Sequence, residues 1–116
     1  MVRVSLKGEL IMVTEVKIKK GSYGMVYSFT FESVDYSGYS AKLYVWKDST
    51  LLINGGTCSV TLSGSDTLVK YTVKKTDFVD AETADYNAEV QFYSGETFLD
   101  SRVTFTVKVE KTAPTT

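Results

Sequence analysis

Histidine is absent from all 116 residues. That absence removes the usual general base near neutral pH, the usual zinc ligand and every Ser-His or Cys-His nucleophile pair. Cys58 is the single cysteine, so neither an intrachain disulfide nor a cysteine-based metal cluster can form, and a reducing compartment is compatible. No stretch approaches the ~20 apolar residues of a membrane-crossing helix, and residues 1–8 have no apolar run of the kind a signal peptide needs. An excess of charge of one sign is missing too. Lys and Arg number 13 against 14 Asp and Glu, for a net charge of -1, which leaves no electrostatic reason to expect nucleic acid or an anionic membrane as a partner. With no phosphate-cradling glycine motif either, the expectation is a protein without catalytic, cofactor or metal site.

What the chain does have is a dense pattern of β-branched and aromatic residues. Hydrophobic residues make up 43% and aromatics 13%, more than a disordered chain carries, so folding should not need a partner. The length allows one domain with one core. Residues 1–8 read as an extension or extra strand, 9–110 as the domain, and 111–116, with the only proline at Pro114, as a flexible tail or linker.

Runs alternating with a period of two are separated by clusters of Gly, Ser, Asp and Asn, which is the signature of short half-buried strands. Leu10, Met12, Val16 and Ile18 share one face of a first strand; Met25, Tyr27, Phe29 and Phe31 share one face of the next. Residues 39–47 direct Ala41, Leu43 and Val45 inward and Tyr44 and Trp46 outward. Residues 50–53 read as a short edge strand that Asn54-Gly55-Gly56 ends. Cys58, Val60 and Leu62 then face the core, followed by Val69, Tyr71 and Val73. Residues 76–84 lack alternation and read as a crossover loop with at most one helical turn. The last hairpin turns at Ser94-Gly95-Glu96, with Tyr86, Ala88, Val90 and Phe92 inward on one arm and Val103, Phe105, Val107 and Val109 on the other. About seven antiparallel strands on one core imply a two-sheet β-sandwich, with a closed barrel as the alternative.

Two resemblances refine this. Glu82-Thr83-Ala84-Asp85-Tyr86-Asn87-Ala88 resembles the D-x-A-x-Y-x-C segment that opens strand F of immunoglobulin domains, with Glu for Asp and Ala for Cys. It implies an immunoglobulin-like β-sandwich in which Tyr86 is the structural tyrosine corner, although the cysteine pair is missing and Trp46 lies on the outward face. From about residue 16 to 109 the chain also resembles the small immunoglobulin-like N-terminal domain of phage baseplate upper proteins and related tailed-phage structural proteins. The matching order runs through Lys20-Gly21, residues 27–31, residues 36–45, Cys58-Ser59-Val60-Thr61, Tyr71-Thr72-Val73 and residues 84–90. This resemblance implies a virion module, made in the host cytoplasm, that assembles with itself or with a neighbouring baseplate or tail protein.

Tyr44, Trp46 and Tyr93, joined by Phe98, are the candidate interaction face, because outward aromatics on neighbouring strands mark contact surfaces. Two uses compete: a protein interface, or a platform on which sugar rings stack in a carbohydrate- or cell-surface-binding module. Asp77, Asp80, Glu82 and Asp85 read as a solvated acidic loop, since their spacing matches no calcium loop. Cys58 reads as a small core residue, and Lys70, Lys74 and Lys75 as charges that keep a strand edge soluble.

Overall fold

The structure, a computed structural model, describes residues 2–7 and 15–111, the side chains of 2–7, 32 and 100–103 excepted. The first strand's Leu10 and Met12 and the tail at 112–116 lie outside the described residues. Every regular element is a strand: β1 (Val2–Lys7), β2 (Glu15–Lys19), β3 (Val26–Glu32), β4 (Ser40–Lys47), β5 (Thr50–Ser63), β6 (Asp66–Thr72), β7 (Ala84–Ser94) and β8 (Thr97–Glu110). Among the described residues eight strands stand where seven or so were expected, hydrogen-bonded in the order β1-β3-β6-β5-β4-β7-β8-β2. The crossover between β6 and β7 consists of turns without a helix.

The pairing is mixed, which corrects the expectation of purely antiparallel strands. β1 runs parallel to β3, and β2 parallel to β8. Neither pair is joined by a hairpin, so no tight turn forces the two strands to run in opposite directions. For β2, burial of Val16 and Ile18, at 1% and 2% exposure, against the last strand fixes the register instead.

The ladder curls so that β3 faces β7 and β8 across one core. Phe105 of β8 meets Tyr27 edge-on at 6.5 Å and lies 5.4 Å from Phe29, both of β3. Phe92 of β7 meets Phe31 of β3 at 5.2 Å. Tyr36, in the loop after β3, stacks on Phe92 at 4.1 Å and closes that end of the core. That loop is held by the buried Thr67, whose hydroxyl donates to the Val34 carbonyl at 2.6 Å and accepts from the Tyr36 amide at 3.0 Å.

The bend lies inside β5. Its first part pairs with β4 and its last part, from Ser59, with β6. Asn54-Gly55-Gly56 does not end a strand, as its composition suggested. Gly55 has φ +74° and is an extra residue between the Leu43–Gly56 and Tyr44–Asn54 pairs, that is, a bulge that turns the strand without breaking it. The insertion resets the alternation, so Ile53, Gly56 and Cys58 all face inward. Leu62 falls outside the core at 44% exposure, two residues before the turn at Gly64.

Candidate functional site

Strand pleating and register build the outward face of β4, β7 and β8. Tyr44 lies opposite Glu89, Trp46 opposite Asn87, and Tyr93 opposite Phe98. The Tyr44 and Tyr93 hydroxyls are 2.8 Å apart. Tyr93 donates its one proton to Gln91 Oε1 at 2.6 Å, so Tyr44 must be the donor to Tyr93. Gln91 Nε2 in turn donates to Glu89 Oε2. A directed chain of bonds therefore runs from Tyr44 through Tyr93 and Gln91 to a carboxylate, each link polarising the next. Lost hydration, together with the negative charge of the nearby Glu89, pushes the Tyr93 phenol up to about 12.

Phe98 packs edge-on against Tyr93 with centroids 5.9 Å apart and stays 51% exposed, while Lys42 Nζ sits 5.1 Å from the centroid of the same Tyr93 ring. Tyr44, Tyr93 and Phe98 are thus brought together. Trp46 shares their face two residues along β4 and is half-buried beside the Leu51 and Asn87 register positions, with no ring contact to the other three among the described residues. The alternation of β7 names Glu89 and Gln91 as outward residues; their alignment with Tyr44 depends on a register between strands 49 residues apart, which composition does not carry.

Tyr86 is buried at the start of β7. Its hydroxyl accepts from the Glu82 amide at 3.0 Å and donates to the Glu82 carbonyl at 3.2 Å, tying the crossover loop to the strand that follows it. Asp77 is occupied: its carboxylate accepts from the Tyr71 hydroxyl at 2.5 Å and from the Lys74 amide at 2.8 Å. Among the described residues no group of His, Cys, Asp or Glu could hold a metal ion. Asp80 and Glu82 remain at the surface, on a 220 Å³ cleft with Lys47, Asp48 and Tyr86.

A groove of about 980 Å³ crosses the opposite outer face, between the turn before β3 and the end of β6. Tyr23 and Val26 supply apolar surface, and Lys70, Lys74 and Lys75 supply charge. Lys70 belongs to β6, an inner strand between β3 and β5, and therefore does not protect a sheet edge. Sequence reasoning missed this groove because its walls come from three separate segments, residues 23–26, 57–59 and 70–75.

Neither a family model nor a curated protein matches the sequence. Among solved structures, the N-terminal domain of phage TP901-1 ORF48 superposes with a TM-score of 0.54 at 12% identity, over 95% of this chain and 96% of that one. The two share a fold. Titin domains M7 and M1 also align, at 12% and 11% identity over 84% and 85% of this chain and 87% and 88% of theirs, with TM-scores of 0.37 and 0.35, too low to show a common fold.

Proposed function

We propose that the chain is a non-catalytic structural and interaction domain of a tailed-phage or prophage particle, in its baseplate or tail, and that it has an immunoglobulin-like sandwich architecture. The observation that carries this reading is the end-to-end likeness to a phage domain. The surface chemistry agrees with it. Phe98 and Leu99 stand at 51% and 44% exposure beside a hydrogen-bonded tyrosine pair, an arrangement of apolar contact area and fixed polar groups that suits a protein partner. The partner is a neighbouring virion protein or another copy of the chain.

The test is mass spectrometry and electron microscopy of density-purified particles from the strain that carries the gene. The chain should be found in intact particles, and a Trp46→Ala/Phe98→Ala double variant should lower its incorporation at least tenfold. Absence of the chain from purified particles would overturn the reading.

One observation favours a second use of the same face. Exposed Phe98 stands next to hydroxyl, carboxamide and carboxylate groups of Tyr93, Gln91 and Glu89, the combination that recognises a sugar ring and its hydroxyls. A glycan-array signal lost on Phe98→Ala, with unfolding unchanged, would establish carbohydrate binding; silence across a broad array would dismiss it.

A further inference from the structure

The groove walled by Lys70, Lys74 and Lys75 has apolar surface from Tyr23 and Val26 and no carboxylate or carboxamide among its lining residues. Sugars are oriented by such groups, so their absence disfavours a neutral glycan there. An acidic segment carrying an apolar side chain complements the groove better. This chain presents one. In the crossover loop, Phe78 and Ala81 are fully buried and the Ala81 amide donates to the Phe78 carbonyl at 3.3 Å. Those anchors, together with the bonds from Tyr86 to Glu82, hold Val79, Asp80 and Glu82 at the surface, Val79 at 49% exposure. The segment is already ordered, so little conformational entropy is lost when it docks. None of the three lysines, and neither acid, forms an ion pair among the described residues.

We propose that the groove receives the Val79–Asp80–Glu82 prong of a second copy of the chain. Lys74 and Lys75 lead directly into the loop that carries the prong, so groove and prong lie at the same end of the molecule. A single two-fold axis can therefore close both contacts at once, prong of each copy in groove of the other. The proposal rests on the reading of the chain as an assembly domain and adds to it a second, charge-dependent contact away from the aromatic face.

Light scattering of the whole chain over a concentration series tests it. At low salt the mass should rise from 12.9 kDa toward twice that value, and 0.5 M salt should raise the dissociation constant at least tenfold, since exposed charges are strongly screened there. Lys74→Glu/Lys75→Glu and Asp80→Lys/Glu82→Lys variants should each be monomeric. An equimolar mixture of the two should recover the dimer, because each then meets a surface of opposite sign. Recovery on mixing also shows that both variants are folded. A monomer at every concentration, a dimer that survives either reversal, or a mixture that stays monomeric while both variants melt like the parent would overturn the proposal. Incorporation into particles is read separately, so the assembly-domain reading stands or falls on its own.

Discussion

The Tyr86 hydroxyl satisfies both the amide and the carbonyl of Glu82, so one oxygen fixes the loop that precedes β7. Tyr86→Phe should cost about 1–3 kcal/mol, the penalty of leaving partly buried backbone groups unpaired. The measurement is a shift in the denaturant midpoint at unchanged slope. Gly56 works by what it lacks. A Cβ there would lie 2.5 Å from the Tyr71 ring and 2.9 Å from Ile53, and both neighbours are themselves buried in the core. Gly56→Ala is therefore expected to destabilise by about 1–3 kcal/mol, as overpacking generally does. Cys58, next but one along the strand, is buried and its Sγ lies 3.6 Å from the Gly56 carbonyl. Burial alone pushes its thiol up to about 12. It should resist thiol reagents in the folded protein at pH 8 and react within seconds once denaturant is added.

Among the elements, β5 carries the architecture because it is shared by the two facing parts of the ladder. Its continuity through Gly55 lets β4 and β6 pair with successive lengths of one strand. β4 and β7 are hydrogen-bonded on both sides, whereas β2 ends the order and, among the described residues, has one neighbour. Native-state hydrogen exchange should therefore find the slowest amides in residues 41–46 and 86–92, and faster ones along β2, where opening breaks a single ladder. If β2 exchanged as slowly as β4, its outer edge would have to be covered, and Lys17 and Lys19 at exposed positions argue for an open one.

For the molecule as a whole, the buried acidic groups set the pH dependence of stability. The Cys58 thiol is raised from 9.0 to about 12, and burial with the nearby Asp77 charge raises the Tyr27 and Tyr71 phenols above their usual value of 10.0. In each case the unfolded chain loses its proton first, so above pH 9 the unfolded state binds fewer protons than the folded one and stability must fall as pH rises. Chemical denaturation between pH 7 and 11 should show a plateau to about pH 9 and then a decline. Cys58→Ala should remove the earliest part of that decline and leave the part due to the tyrosines.

Periodicity alone determined the inward sets Ala41, Leu43, Val45 and Tyr86, Ala88, Val90, Phe92, because a pleated strand half-buried on one side leaves its period in the order of residues. The hairpin at Gly95 and the all-β class followed from the same local signals, and the lack of histidine is a property of composition. What tertiary structure decided is whatever depends on residues far apart in the chain. Asn54-Gly55-Gly56 has the composition of a turn, and only pairing with β4 on one side makes it a bulge. The parallel placement of β2 beside β8 joins the two ends of the domain without a turn to announce it. The line from Tyr44 to Glu89 needs strands to align across 49 residues of chain. The lysine groove needs three segments to meet. Local order is encoded by neighbours in sequence, whereas register and surface shape are set by which distant faces the core forces together.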